Sequence, residues 1–262
     1  MTARAGADLF LPPSEAERRA SLAFRVRFDE ATPSGGIRTS VLLRYAADLA
    51  SYHSERRGFN RSWYRDRGLA WLVRGVDLEL RMPILYGDEL VGTTEAVAAR
   101  KVLARRRTDF RTTAGELAAV VVVDWALISD AGIPTRIPAG LGVAFGMAGQ
   151  GFVPVRVRTP APLDVGPARL ELTVRPQELD PMDHVNNAVY LDWAEEVIRS
   201  TAEPAGAAGL DAVPRRWRLE YLASAAPATR VVASAWADPQ GWSCRIVDQA
   251  TGQAFLGGRL EA

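Results

Sequence analysis

Hydrophobic and polar positions along the 262-residue chain fall into one order of elements that occurs twice. Ser21 to Asp29 alternates, with Leu22, Phe24, Val26 and Phe28 on one side, and reads as a β-strand. After the turn Pro33-Ser-Gly-Gly36, the residues Val41, Leu42, Tyr45, Ala46, Leu49 and Tyr52 recur at helical spacing, and Gly58 supplies a stop. Four strands are predicted next, near 70–80, 89–99, 101–112 and 117–128. The last of these contains Leu117-Ala-Ala-Val-Val-Val-Val123, apolar on both faces, as a central strand or one beneath a helix requires. One strand, one helix, then four strands is an α+β order and not an alternating βαβ one.

The second half repeats it. Moving it back by the 148 residues that separate Trp193 from Tyr45 sets Pro181 on Pro33, His184 on Gly36, Asn187 on Thr39 and Glu196 on Asp48. Its helix gathers Val189, Tyr190, Leu191, Trp193, Ala194, Val197 and Ile198 on one arc, against Asp192, Glu195, Glu196 and Arg199 on the other. Strands are predicted at Arg215–Leu222, Arg230–Trp236, Gly241–Asp248 and Gln253–Leu260. The domain reading is an N-terminal arm at 1–20, a first copy at 21–148, a Pro- and Gly-rich linker at 149–167 and a second copy at 168–262.

A hydrophobic share of 48% suffices for a packed core, and a formal net charge of +1 lacks the cationic excess of a general nucleic-acid binder. The single cysteine, Cys244, excludes an internal disulfide and reads as a small core residue. Arg4, Asp8, Glu15, Glu17, Arg18 and Arg19 interrupt any signal-peptide core, and no apolar run approaches the roughly 20 residues of a membrane helix. The expectation is a cytoplasmic protein that engages neither nucleic acid nor membrane.

Chemistry concentrates between Glu178 and Glu196. Asp180, Asp183, His184, Asn186 and Asn187 share a short turn that runs straight into the second helix, with Asn186 or Asn187 as its N-cap. Acids and a histidine beside the positive end of a helix dipole form a setting in which an oxyanion can be held. The first copy has Thr32, Gly35 and Gly36 where the second has Asp180, Asp183 and His184, so one turn is active and the other is scaffold.

The run Asp-Pro-Met-Asp-His-Val-Asn-Asn-Ala-Val-Tyr-Leu-Asp-Trp193 resembles the D-x-M-G-H-V-N-N-x-x-Y signature of the hotdog-fold hydrolases named after 4-hydroxybenzoyl-CoA thioesterase. It is also similar to the D-x-N-x-H-V-N-N-x-x-Y segment of acyl-ACP thioesterases, which are tandem hotdogs of comparable length. The resemblance implies a tandem hotdog packed as a pseudo-dimer, each long helix wrapped by its own sheet. It further implies a thioester hydrolase of fatty acid biosynthesis and lipid metabolism, acting on acyl-ACP or acyl-CoA as a monomer or homodimer, with no cofactor and no metal. Asp180 then stands where the family has its nucleophile or general base, and the amides of His184, Val185 and Asn186 would form the oxyanion hole. His184 would orient the thioester or water, and Asn187 would hold the turn. Asp183 and Glu196 are further candidates, the latter because it sits at the edge of the helix's polar arc. The first copy would supply pocket walls from Trp63, Tyr64 and Trp71.

Two positions depart from the acyl-ACP pattern: Met182 replaces an Asn, and Ser224-Ala225 replaces a Glu-Cys pair. The simpler single-acid mechanism therefore carries over. Other roles remain open at this level: an Asx-turn for Asp180, local capping for His184, and a non-catalytic acyl-binding hotdog for the whole chain. Arg105-Arg106-Arg107 and Arg215, Arg216 and Arg218 are basic runs available to an acidic carrier or CoA phosphates, but strand alternation splits each over two faces, which leaves some of them as ordinary solvated or paired residues.

Overall fold

A computed structural model describes residues 11–147, 151–159, 167–201, 204–238 and 240–262. Part of the expected arm (1–10) and much of the expected linker (149–150 and 160–166) lie outside the described residues.

The first copy runs β1 (Arg19–Arg25), α1 (Thr39–Arg56), a short α2 (Arg61–Arg65), β2 (Leu69–Leu80), β3 (Glu89–Arg100), β4 (Leu103–Thr112), β5 (Leu117–Ser129) and a short α3 (Ala139–Ala144). The second runs β6 (Ala168–Thr173), α4 (Asn187–Arg199), α5 (Pro204–Asp211), β7 (Arg215–Tyr221), β8 (Arg230–Asp238), β9 (Gly241–Asp248) and β10 (Ala254–Glu261). One predicted boundary is corrected: the strand expected to reach Asp29 ends at Arg25. Phe28–Glu30 is a 3₁₀ turn with Phe28 83% exposed, because Glu30 folds inward to accept the Arg27 amide at 2.9 Å and the Tyr45 hydroxyl at 2.5 Å.

The ten strands form one antiparallel sheet in the order β1-β3-β4-β5-β2-β7-β10-β9-β8-β6. Exchanging the copies leaves that order unchanged when it is read from the opposite edge, and β2 pairs with β7 at its centre. Helix α1 crosses β1, β3 and β5, α4 crosses β6, β8 and β9, and the two helices touch. The 148-residue spacing is reproduced in detail before the helices. The 3₁₀ turn Phe28–Glu30 has its counterpart in Pro176–Glu178, the bridge Ala31–Ile37 in Leu179–Val185, and the helix start Thr39 in Asn187. At the helix contact Arg44 donates to Asp192, its own counterpart 148 residues later, at 2.8 Å.

Side chains on the inner face interlock across the central joint. Along one row Val123, Val76, Leu219, Gly258, Cys244 and Ala235 lie opposite one another; along the next, Val121, Leu78, Trp217, Leu260 and Trp242. Trp217 is fully buried, and Gly258 makes room beside it, since a Cβ there would lie 2.4 Å from the Cys244 sulfur. Cys244 is the buried core residue expected, and burial pushes its thiol up to about 12.

The described linker residues 151–159 cross the sheet's outer face. Buried Asp124 binds Arg105 through two bonds of 2.7 and 2.9 Å and accepts the Val155 amide at 2.7 Å, and Glu220 accepts the Val157 amide at 3.0 Å. Gly75 lets the segment pass: a Cβ at that position would sit 2.8 Å from the Val155 Cβ and 3.2 Å from its carbonyl. Gly75→Ala is therefore expected to cost about 1–3 kcal/mol, read as a lower urea midpoint at unchanged slope.

Beneath the end of α1, His53 is 2% exposed; its Nδ1 accepts from Arg106 at 2.8 Å and its Nε2 donates to the Glu17 carbonyl at 3.0 Å. Burial first, and the Arg106 charge second, lower its pKa to about 4. The unfolded chain then binds the extra proton between roughly pH 6.5 and 4, so this stabilisation is complete above about 6.5 and is lost as pH falls toward 4. His53→Gln is expected to flatten the decline in Tm between pH 7 and pH 5 relative to the parent.

Candidate functional site

The turn before α4 is built by a buried glutamate. Glu178 is 6% exposed; its carboxylate accepts the Arg175 amide at 2.7 Å and pairs with the Arg175 guanidinium at 2.6 Å, while its carbonyl accepts the Asn186 amide at 2.8 Å. Between these anchors the Asp180 amide donates to the His184 carbonyl at 2.8 Å and the Asp183 amide to the Asp180 carbonyl at 3.0 Å. The Asn186 side chain caps α4 by accepting the Ala188 amide at 2.9 Å.

This framework fixes Asp180 from one side. Its Oδ1 accepts the Met182 amide at 2.8 Å and, more loosely, the His184 amide at 3.4 Å, while Oδ2 has no hydrogen bond among the described residues. The His184 Nδ1 is buried without a partner there, the kind of unsatisfied polar atom that functional sites retain. Tyr190 accepts the Ala225 amide at 2.8 Å, which leaves its phenol proton available. Burial, reinforced by the charge of Asp180, pushes its pKa up to about 12, so it stays neutral. Tyr190 is a core residue, 1% exposed, as its place on the apolar arc of the helix leads one to expect.

Several expectations are corrected. The Val185 amide donates to the Ala225 carbonyl at 3.4 Å and the Asn186 amide to Glu178, so of the three amides expected to line an oxyanion hole only that of His184 is loosely held. Asn186, not Asn187, secures the helix start; the Asn187 carboxamide makes no bond among the described residues, and its carbonyl accepts the Tyr221 hydroxyl at 2.8 Å. Glu196 is exposed and lies near Arg175, because the packing of α4 turns it to solvent. Glu195 turns inward instead, where it accepts from Trp217 Nε1 at 3.2 Å and lies beside Thr39 and Arg215; burial raises its pKa.

The basic runs divide over two faces, as strand alternation leads one to expect, and pairing engages them. Arg105 binds Asp124, Arg106 meets His53, Arg107 binds Asp109, Arg216 binds Asp77 and Arg218 binds Glu261, while Arg215 is buried against Thr39 at 2.9 Å. The first copy does reach the turn: Arg61 at the start of α2 donates to the Pro181 carbonyl at 2.7 Å, with half-buried Trp63, Tyr64 and Trp71 alongside. Among the described residues no His, Cys, Asp or Glu cluster suited to a metal is present, and no helix is long and apolar enough to cross a membrane.

Comparison with known proteins places this geometry. The family model for the acyl-ACP thioesterase N-terminal domain matches residues 19–133, and that for the acyl-ACP thioesterase C-terminal domain matches residues 165–208. Among curated proteins no sequence match is found. The fold is that of a putative oleoyl thioesterase from Lactobacillus plantarum, at 19% identity, with 93% of this chain and 96% of that one covered and a TM-score of 0.78. An acyl-ACP thioesterase from Bacteroides thetaiotaomicron superposes at 14% identity, covering 95% and 99%, with a TM-score of 0.77. A 12:0-ACP thioesterase from Umbellularia californica does so at 19% identity, covering 93% and 96%, with a TM-score of 0.76.

Asp183 has φ +59°, the left-handed conformation, and its counterpart in the first copy is Gly35 at φ +86°. A side chain in that region costs roughly 1 kcal/mol or more, which glycine avoids. Asp183→Gly is therefore expected to hold or raise Tm while leaving turnover within a few-fold of the parent, and Asp183→Val to lower Tm.

Proposed function

The chain belongs to the acyl-ACP thioesterase family of thioester hydrolases, and from that premise we propose that it releases fatty acids from acyl carrier protein at the turn Asp180–Asn187. The supporting observation is the one-sided tether of Asp180: Oδ1 is held by the turn and Oδ2 is left open beside the start of α4. In this reading Oδ2 takes a proton from water, the resulting hydroxide attacks the thioester carbonyl, and the tetrahedral intermediate expels the thiolate, which recovers the proton. A thiolate leaves readily, so no strong general acid is needed.

The oxyanion falls to groups that the turn does not consume: the His184 amide and the Asn187 carboxamide, with the His184 ring orienting the thioester. The Tyr190 hydroxyl accepts the Ala225 amide and makes no bond to Asp180 among the described residues, so it stays outside the reaction. Val185 and Asn186 act structurally, and Asp183 and Glu196 stand outside the reaction. The division into a scaffold copy near 21–148 and a catalytic copy near 168–262 belongs to the same proposal.

Asp180→Asn retains size and hydrogen bonding but removes the charge, so kcat is expected to fall ~10²-fold or more with KM little changed, the usual consequence of losing a general base. A folded variant that turns over at near the parent rate would sink the mechanism. The carrier is tested by setting acyl-ACP against free acyl-CoA of the same chain length; equal kcat/KM would remove the carrier protein from the proposal.

A further inference from the structure

The interior of the first copy contains a cation that has no anion among the described residues. The inward positions of β4 read Ala104, Arg106, Thr108 and Phe110, three buried residues and one arginine. The Arg106 guanidinium lies under α1, donates to His53 Nδ1 at 2.8 Å and sits 5.6 Å from the centre of the Phe145 ring. Among the described residues no carboxylate pairs with it, whereas Arg105 has Asp124 and Arg259 has Asp238. Loss of hydration is strong enough to lower even this guanidinium, to about 10. Beyond the bond to His53, the guanidinium of Arg106 makes no hydrogen bond among the described residues, so its other N–H groups are left to donate.

The short helix α2 links the turn Asp180–Asn187 to the surroundings of Arg106. Arg61 touches Pro181, and one helical turn further along α2 is Tyr64, close enough to Arg106 for their charges to interact. Tyr64 packs edge-on to Trp63 at 5.0 Å and to Trp71 at 6.5 Å, a half-buried aromatic wall. An ordinary alkyl chain laid along this wall would bring its methyl end against an unpaired, poorly hydrated cation, which is unfavourable for both. An oxygen there would instead receive the open N–H groups of the guanidinium.

We propose that Arg106 reads the far end of the acyl chain, so that the preferred substrates are acyl thioesters bearing a hydrogen-bond-accepting oxygen at or near their distal terminus, a carboxylate foremost. This rests on the turn Asp180–Asn187 being the hydrolytic site. His53, neutral and accepting from Arg106, is a positioning residue that fixes the guanidinium plane.

The test measures kcat/KM on thioesters of a graded chain-length series, unsubstituted, ω-hydroxy and ω-carboxy, for the parent, Arg106→Met and Arg106→Lys. At one chain length the parent is expected to favour the ω-carboxy substrate by ~10-fold or more over the unsubstituted one, the scale of one charge-assisted hydrogen bond. Arg106→Met should reverse the preference by gaining on the unsubstituted chain, and Arg106→Lys should keep part of it. Equal or better turnover of unsubstituted chains by the parent at every length, with Arg106→Met lowering all substrates alike, would overturn the proposal and leave the hydrolytic reading standing. If no thioester is hydrolysed, that reading falls. Calorimetric binding of free dicarboxylic against monocarboxylic acids still decides Arg106, with equal affinity as the overturning result.

Discussion

The antiparallel pairing of β2 with β7, from Gly75 opposite Glu220 to Leu80 opposite Arg215, joins two five-stranded sheets that would each present an open edge if separated. Once the edges are joined, the inner-face rows run uninterrupted from β5 to β9, and Trp217 and Leu219 of one copy pack on Val76 and Leu78 of the other. The linker reinforces this joint from outside. Asp124 on β5 and Glu220 on β7 each accept an amide of the crossing segment, and Gly75 between them keeps that segment close to the sheet. Helix placement follows: α1 and α4 touch because the halves they cover are continuous.

A covalently linked pair can do what two identical chains cannot. Arg44 and Asp192 occupy equivalent positions and meet across the internal axis. In a homodimer the same residue would face its own copy, and an arginine there would meet an arginine. The same freedom governs the turns. The architectural glutamates persist in both, Glu30 and Glu178, each accepting a backbone amide three residues earlier and offering its carbonyl to the residue before the helix. What differs is the chemistry hung on that frame: Thr32 and Gly36 in one copy, Asp180 and His184 in the other. Near the first turn a cavity of about 200 Å³ carries Glu195 and Arg215, which tie α4 and β7 to Thr39 of α1, so that end of the molecule serves cohesion.

The repeat was legible because its signals are periodic and local: alternating strands, a helical arc, and a polar turn kept at one spacing. The α+β order and its two copies followed from them, and the tandem hotdog from the resemblance carried by the turn before the second helix. What escaped was decided by packing between elements distant in sequence. Glu195 and Glu196 are adjacent on one polar arc, and only the arrival of Trp217 and Arg215 from β7 makes the first of them interior. Asn186 and Asn187 are equally good caps on paper, and the bond from Asn186 to Glu178 settles which one takes the position. The division of the arginine runs over two faces was legible from strand alternation, but the partners Asp77, Asp124 and Glu261, which come from neighbouring strands, were not. Phe28 misled for a local reason, since it continues the strand's alternation while Glu30 needs the chain to turn.

The turn Asp180–Asn187 lacks two groups of the related pattern, at Met182 and Ser224-Ala225, so under the proposed mechanism one acid has to suffice. A carboxylate acting alone must be held so that one oxygen faces the substrate and the other cannot swing into its place. The Met182 amide does this at Oδ1, where the backbone of a side chain that has lost its polar head still contributes its N–H. The segment carrying Ala225 performs a second task through backbone alone: its amide fixes the Tyr190 hydroxyl and its carbonyl accepts Val185. Backbone groups survive substitution of the side chains above them. The frame that orients Asp180 therefore tolerates the loss of a polar network that side chains alone could not have survived.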